Sequence, residues 1–269
     1  MQDRVAIDND GHVAHVRLVR SDKMNALDNG MFDAMAAAGK QLADNPDIRA
    51  VVLSGEGRAF CAGLDMGNFA AMAGHSDGGG HVGIGKLETR THGIANGPQY
   101  AAWMWRELPV PVIAAIHGVA LGGGFQVALG ADIRYAAPGT RMSVMEIKWG
   151  LIPDMAGTQL MRHLAREDVV RELSYTGRIF SAEEALEYGL VTRVCADPLA
   201  EALETARYIA TRNPDAIRAG KQLFNQAPYL QAEEGLLLES RLQDGIIGTP
   251  NQIEAVMAEM EKRPAKFKS

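Results

Sequence analysis

Two short stretches of the chain are suited to hold negative charge on a bound ligand. They are Ala62-Gly63-Leu64-Asp65 and Gly122-Gly123-Gly124. The second follows an apolar run and precedes a helix-compatible segment, Phe125 to Gly130, so its glycines stand where a strand ends and a helix begins. The first amides of a helix are unpaired, and glycine lets a ligand carbonyl approach them. These stretches predict an oxyanion hole, in which two backbone amides stabilise charge on one oxygen.

Three polar side chains further along the chain could move or orient protons. Gln126 follows the glycines, and Glu146 and Asp154 lie eight residues apart. An apolar pocket brings a carboxyl pKa towards neutral pH, whereas an amide only forms hydrogen bonds. Glu146 could therefore transfer a proton, whereas Gln126 could only form hydrogen bonds. Asp154 has two interpretations, a catalytic carboxylate or the N-cap of a helix that begins around Ala156.

Strands and helices alternate through the elements that must position these residues. Turn-forming residues at Asp8 to Gly11 separate two apolar runs and predict a β-hairpin. Asp28 to Leu42 has helical spacing of its apolar residues. Buried strands are predicted at the following positions: Ala50 to Leu53, Val112 to Ile116 and Asp132 to Ala136. The fold class is therefore α/β.

The pattern changes after Val194 to helices alone. Four are predicted: Pro198 to Thr211, Pro214 to Gln226, Gln231 to Ile247 and Pro250 to Lys262. We place a boundary near residue 200, with a core and ligand site at 1–199 and a helical domain at 200–269. Apolar runs at 236–238 and 246–247 predict packing against the core or a second subunit, so an oligomer is expected.

Composition excludes several classes of function. The chain has 269 residues, is 47% hydrophobic and has a net charge of -6, which disfavours nucleic acid and anionic membranes as partners. The longest apolar stretch, Val110 to Ile133, is interrupted by His117, Gln126 and Asp132. These polar residues are not typical of a membrane-spanning segment. Two distant cysteines and no secretory signal favour a reducing compartment, the cytoplasm.

Other motifs give no support for metal, nucleotide or redox chemistry. His75 and His81 flank Asp77 in a Gly-rich segment, Ala73 to Gly85, which is predicted to be a surface loop near the ligand. No third ligand follows at a recognised spacing, so we predict no metal. Phosphate-loop, dinucleotide-binding and nucleophile-elbow patterns are also missing from the sequence.

Together these residues resemble the crotonase superfamily, the enoyl-coenzyme A hydratase and isomerase family, over nearly the whole chain. The resemblance is carried by these segments: Asp22 to Leu27, Gly57 to Asp65, Pro111 to Gly118, Ala120 to Gly124, Glu146 to Gln159 and Glu261 to Phe267. It implies a spiral of repeated ββα units with a C-terminal helical domain, assembled as homotrimers or homohexamers. It also implies an acyl-coenzyme A thioester as substrate, with coenzyme A as part of that substrate and no further cofactor.

The resemblance assigns roles to individual positions. The oxyanion donors would be the backbone amides of Leu64 and Gly123. The substrate-binding residues would be Lys23, Ala26, Ala62, Asp65, Met66, Gly122 and Gln126. The candidate partners for the coenzyme A phosphates are Lys23, Arg58, Lys262 and Lys266.

The same resemblance bears on the reaction. Hydratases of the family are expected to use two glutamates, and here the first position is Gln126 and the second Glu146. The resemblance therefore implies that Glu146 is catalytic and that Gln126 is a positioning group. The pairing of Glu146 with Asp154 resembles dienoyl-coenzyme A isomerases, although these would also carry an acid at position 126. We therefore favour isomerisation of an enoyl or dienoyl thioester over hydration. Decarboxylation, retro-aldol cleavage and a non-catalytic acyl-coenzyme A binder stay open as alternatives.

Overall fold

The computed structural model describes residues 3–67 and 86–269 and has an α/β fold, as predicted. The predicted Gly-rich loop at Ala73 to Gly85, with His75, Asp77 and His81, lies outside the described residues. No helix within the described ranges is long and apolar enough to cross a membrane.

The main sheet contains six strands in the described residues, in the order β1-β2-β3-β4-β6-β9. These strands are β1 (Val5–Asp10), β2 (Val13–Leu18), β3 (Ala50–Gly55), β4 (Val112–Ile116), β6 (Ile133–Ala136) and β9 (Arg193–Val194). Strands β1 and β2 are antiparallel, and the other neighbours run parallel. The predicted hairpin is confirmed, but the predicted turn was wrong in extent because Asp8 to Asp10 continue the strand opposite Val13 to His15. Gly11, with φ of 58°, makes the turn.

A smaller sheet contains the second β-strand of each of the later ββα units. It pairs β5 (Val119–Leu121), β7 (Arg141–Ser143) and β8 (Phe180–Ser181) in that order. Helix α3 (Gly123–Leu129) follows β4 and β5, and helix α4 (Gly157–Met161) follows β6 and β7. The ββα pattern therefore repeats along the chain. Each repeat brings a loop and a helix start to the end of the smaller sheet.

The helices of the first part cover this framework. Helix α1 (Asn29–Ala43) begins at Asp28, whose Oδ1 accepts a hydrogen bond of 2.8 Å from the Met31 amide. Its buried residues include the predicted Met31, Met35, Ala38 and Leu42. The structure describes three further helices in this part, α2 (Gly97–Glu107), α5 (Glu167–Thr176) and α6 (Ala182–Glu187).

Four helices end the chain, as predicted. They are α7 (Pro198–Ala210), α8 (Pro214–Gln226), α9 (Ala232–Asp244) and α10 (Pro250–Met260). Ala202, Ala206 and Ala210 of α7 pack against buried residues of the main sheet, so this helix shares the core of the sheet. By contrast, Leu236 on α9 is 63% exposed and Met260 on α10 is 75% exposed. The division at residue 200 stays a prediction.

Candidate active site

A pocket of about 690 Å³ gathers most of the residues that the sequence singled out. Its walls come from the loops that follow β2 and β3, from the end of β5 and from the segment at 145–155. The predicted residues that line it are Lys23, Ala26, Ala62, Leu64, Asp65, Met66, Gly122, Gly123, Glu146 and Asp154. Gln126, also predicted to bind substrate, is not among the residues that line the pocket and is 1% exposed. It lies behind the pocket wall, where it is hydrogen-bonded to Glu146.

The loop that carries Leu64 pairs with the loop that precedes α1. Leu27 donates a backbone hydrogen bond of 2.8 Å to Gly63, and Asp65 donates one of 3.0 Å back to Leu27. In such a parallel ladder, alternate residues direct their N–H groups to opposite sides. The N–H group of Leu64 therefore points away from Leu27. It faces the side on which Leu121 donates to the carbonyl of Cys61 at 3.1 Å.

The glycines let this loop approach the start of α3. Gly63 has φ of 88°, and a Cβ placed on it would lie 2.5 Å from the Leu121 carbonyl oxygen and 3.7 Å from the Gly123 nitrogen. Within residues 3–67 and 86–269, no backbone hydrogen bond is donated by the amide of Leu64 or of Gly123. The pocket wall thus presents two unpaired donors from adjacent segments, as an oxyanion hole requires. Their catalytic role stays a prediction.

Glu146 and Gln126 form the opposite wall. Glu146 begins a one-turn 3-10 helix and is 8% exposed. Gln126 donates from Nε2 to Glu146 Oε1 at 2.6 Å, and its Oε1 accepts from the amides of Met155 and Gly157 at 2.9 and 2.8 Å. Both ends of the amide are therefore held. In the described part of the chain, Glu146 Oε2 is buried and has no hydrogen-bond partner.

The environment of Glu146 favours its protonated form. Burial raises the pKa of this carboxyl group, and the charge of Asp154 raises it further. The hydrogen bond from Gln126 acts in the opposite direction, but the net effect is a pKa above the usual value for glutamate. Such a group can give or take a proton closer to neutral pH than an exposed glutamate can.

Asp154 borders two cavities. Of the described residues, it alone lines both the pocket above and a second cavity of about 600 Å³, whose wall includes Trp103, Tyr229 and Leu230. The N-cap position of helix α4 is Ala156, which has φ of 67°, and not Asp154, so the helix-cap interpretation of Asp154 was wrong. The first amide of the helix, that of Gly157, donates instead to Gln126 Oε1. The catalytic role of Asp154 remains to be tested.

Comparison with known proteins agrees with this geometry. Residues 8–269 match the family model described as enoyl-CoA hydratase/isomerase. The Mycobacterium bovis protein named "Probable enoyl-CoA hydratase echA8" is 32% identical over 98% of this chain and 97% of its own. The mouse mitochondrial Delta(3,5)-Delta(2,4)-dienoyl-CoA isomerase is 30% identical over 95% of this chain and 78% of its own. A crystal structure of an enoyl-CoA hydratase from Bacillus anthracis superposes with a TM-score of 0.87, at 32% identity over 98% and 99% of the two chains.

The chain belongs to the enoyl-CoA hydratase/isomerase family. Its relatives are named both as hydratases and as an isomerase, so membership leaves the reaction itself open. The crotonase-like architecture predicted from the sequence is confirmed by the superposition.

Four cations were predicted to contact the coenzyme A phosphates. Of these, Lys23 lines the pocket. Lys266 lies instead in a separate groove beside Arg49 and Phe267. Neither Arg58 nor Lys262 is among the residues that line the pocket.

The structure of this family member also shows contacts that the sequence analysis missed. Arg20 forms an ion pair of 2.6 Å with Asp65, which immediately follows the predicted donor Leu64. Cys61, in the same loop, is fully buried, and its Sγ donates to the Asn25 carbonyl at 3.0 Å. Burial raises the pKa of this thiol to about 12. Arg20 and Asp65 lie 45 residues apart, so no local pattern pairs them.

Proposed function

We propose that the protein moves a double bond within an enoyl- or dienoyl-coenzyme A thioester, with isomerisation favoured over hydration. One observation carries the proposal. Both ends of the Gln126 amide are held by hydrogen bonds, to Glu146 on one side and to the Met155 and Gly157 amides on the other. Gln126 therefore orients Glu146 but exchanges no proton, which leaves Glu146 and Asp154 as the carboxyl groups at the pocket wall near it.

Isomerisation then needs two proton transfers and one stabilised oxygen. The thioester oxygen accepts hydrogen bonds from the amides of Leu64 and Gly123. One carboxylate removes a proton from C2, and the released electron pair spreads over the conjugated system and the carbonyl oxygen. A carboxylic acid returns a proton to the far carbon, which completes the shift of the double bonds. Loss of one oxyanion donor costs about 2.7 to 4 kcal/mol in other enzymes, so the hole is the largest contribution.

The raised pKa of Glu146 suits the proton donor. Its Oε1 is fixed by Gln126, and Oε2 has no partner among the described protein atoms, so the proton resides and moves at Oε2. Asp154 then acts as the acceptor. Because Asp154 also borders the second cavity, an acyl tail that continues past the reacting carbons can enter that cavity.

The surrounding assignments are part of the same proposal. Coenzyme A enters as part of the substrate, and the chemistry requires no resident metal or redox cofactor. Exposed apolar residues on α9 and α10, including Leu236 and Met260, support assembly into a homotrimer or homohexamer. A cytoplasmic location is proposed from the cysteine usage.

A pair of assays tests the reaction class. The protein is incubated with crotonyl-coenzyme A and with a 3,5-dienoyl thioester while absorbance is followed. We expect the dienoyl thioester to be converted to the 2,4-isomer and crotonyl-coenzyme A to be hydrated slowly. Strong hydration with no isomerisation would reverse the ranking. Tight coenzyme A binding with no turnover of any thioester would favour a binding protein instead.

The substitution Asp154→Asn separates the isomerase from other reactions that pass through an enolate. It removes the proton acceptor, so isomerisation should fall by about 100-fold or more, the size of a general-base contribution. Asp168→Asn, at an exposed ion pair on α5, is the control and should leave the rate unchanged. Full isomerisation by Asp154→Asn would contradict the two-carboxylate mechanism. Decarboxylation or retro-aldol cleavage, for which this carboxylate is optional, would be favoured if those thioester reactions were turned over equally well by wild type and Asp154→Asn.

Hydration is the second candidate. It is supported by the unpartnered Glu146 Oε2, a position from which a glutamate can hold a water molecule, and by the names of relatives such as the Mycobacterium bovis protein. The lack of a second glutamate beside it, where Gln126 stands, is the reason for ranking it lower.

A further inference from the structure

Arg20 joins two loops that meet at the predicted oxyanion hole. It lies two residues beyond β2, and its side chain is 15% exposed. One terminal nitrogen donates to the Ala26 carbonyl at 3.0 Å and to Asp65 Oδ2 at 2.6 Å. The other terminal nitrogen lies 3.4 Å from Asp28 Oδ2. A single cation therefore contacts both loops.

The direction of the Leu64 amide depends on how these loops are held together. Leu27 is hydrogen-bonded to Gly63 and Asp65, the residues on either side of Leu64. The bridge between Leu27 and Leu64 is isolated and is not part of a longer strand pair. Such a short ladder has little rigidity of its own. A misplacement of about 1 Å in a catalytic group can cost about 100-fold in rate.

We propose that Arg20 is a positioning residue for the amide of Leu64. By binding Ala26 and Asp65, it fixes both sides of the ladder and thereby the direction of the N–H group between them. The proposal rests on the proposed function, because it takes Leu64 as an oxyanion donor. Arg20 is not among the residues that line the pocket, so it acts through the loops and not on the substrate.

The charges around Arg20 support a permanent bridge. Asp65 Oδ1 accepts from the Gly67 amide at 2.7 Å, and Asp28 is also paired with Arg4 at 2.9 Å. Burial alone would raise the pKa of Asp65, but the Gly67 amide and the Arg20 guanidinium hold it below its usual value. Asp65 thus stays ionised at neutral pH. A charge-assisted hydrogen bond in this partly buried place is stronger than one at the surface.

Arg4 provides a matched control on the same network. It binds Asp28 through Nε and a terminal nitrogen, at 3.1 and 2.9 Å. None of its hydrogen bonds in the described structure reaches Asp65. Arg4→Met therefore removes a cation from the shared acid but leaves the bridge to the donor loop, whereas Arg20→Met removes the bridge.

The test measures polarisation of a bound carbonyl as well as rate. The probe is octanoyl-coenzyme A labelled with carbon-13 at the thioester carbonyl, which has no double bond to move or hydrate. We expect its infrared carbonyl band to shift to lower frequency on the wild-type protein and to lose most of that shift on Arg20→Met. For the unsaturated substrate, kcat should fall about 100-fold and KM should change less than about threefold. Arg4→Met should stay within about threefold of wild type.

Further variants keep the test decisive if Arg20→Met does not fold. Arg20→Lys keeps the positive charge but lacks the second terminal nitrogen, which faces Asp28, so an intermediate carbonyl shift is expected. Asp65→Asn weakens the bridge from the other side. A wild-type carbonyl shift in whichever of these variants fold would overturn the positioning role while leaving the proposed function intact. No shift on the wild-type protein would instead contradict the oxyanion hole itself.

Discussion

The two walls of the pocket are built from different parts of the chain. The donor wall, at Leu64 and Gly123, consists of main-chain amides that glycines and loop pairing hold in place. The opposite wall presents the side chains of Glu146 and Asp154, with Gln126 behind them. A single substitution can change the chemistry of the side-chain wall, but a main-chain amide is the same in every residue except proline. We therefore expect the fold to determine carbonyl polarisation and a few side chains to determine which reaction follows.

The largest effect is expected from breaking the donor wall at Gly63. Gly63→Ala would place a Cβ 2.5 Å from the Leu121 carbonyl oxygen at φ of 88°, so the loop must move. We expect every thioester reaction of the protein to fall by about 100- to 1000-fold, the effect of losing an oxyanion donor. Gly11→Ala is the control, because Gly11 also has positive φ but nothing within 4 Å of the added Cβ. Equal losses of activity in both variants would show that backbone strain, and not the donor, is responsible.

Glu146→Gln tests the side-chain wall. Turnover should fall by about 100-fold, because the proton donor is lost, while the carbonyl shift of bound octanoyl-coenzyme A should remain. Loss of that shift in Glu146→Gln would mean that the two walls are not independent.

The same variant should change the pH dependence of stability. The pKa of Glu146 is higher in the folded state than its ordinary value of 4.5, so ionisation of this buried group destabilises the fold as pH rises through the folded pKa. Glu146→Gln should therefore melt at a higher temperature than wild type at pH 8. The difference should vanish below about pH 4, where both side chains are neutral. A lower melting temperature at pH 8 would contradict this account.

Gln126→Glu should alter the reaction without touching the donor wall. It places a second carboxyl group beside Glu146, so crotonyl-coenzyme A hydration should rise by about tenfold or more. Like charge should also raise the pKa of Glu146 further and move the pH profile to higher pH. Gln126→Leu, which removes the bonds to Met155 and Gly157, should lower all activities. Unchanged hydration in Gln126→Glu would show that position 126 does not decide the reaction.

The smallest effect concerns the cavity beyond Asp154. If acyl tails enter it, kcat/KM should rise about fourfold for each added methylene that is buried there. Trp103→Ala removes part of the apolar wall and should reduce that dependence to about twofold. Tyr175→Ala, on an exposed face of α5, should leave the dependence unchanged. If kcat/KM depended equally on acyl chain length in wild type and Trp103→Ala, the acyl tail would have to lie outside this cavity.

The donor wall was largely predictable because its glycines leave a local signal. A Cβ added at Gly63 or Gly124 would lie 2.5 or 2.4 Å from a backbone carbonyl oxygen, and Gly122 has a positive φ of 51°. The α/β class and the four C-terminal helices were also correct, since each rests on short-range periodicity. Helix α2 was not predicted, although Asn96 and Gln99 form a capping box that could have indicated its start.

What the sequence did not give depends on contacts between distant residues. The hydrogen bonds of Gln126 to Met155 and Gly157 span 29 and 31 residues. An aspartate shortly before a helix is a common N-cap, which is why the sequence left two interpretations of Asp154 open. The chain instead enters α4 through Ala156 in the left-handed conformation. Such details follow from how the ββα units meet, and no short window of sequence contains them.

The buried thiol of Cys61 can report on exposure of the loop that carries Leu64. A fully buried thiol with a pKa of about 12 forms almost no thiolate at neutral pH and resists alkylation while the loop is closed. Its labelling by an iodoacetamide reagent therefore reports how often the chain around the oxyanion site exposes itself to solvent. A bound acyl-coenzyme A that covers the pocket would slow this labelling. The labelling rate of Cys61 would therefore measure how strongly a bound substrate protects this part of the chain from solvent.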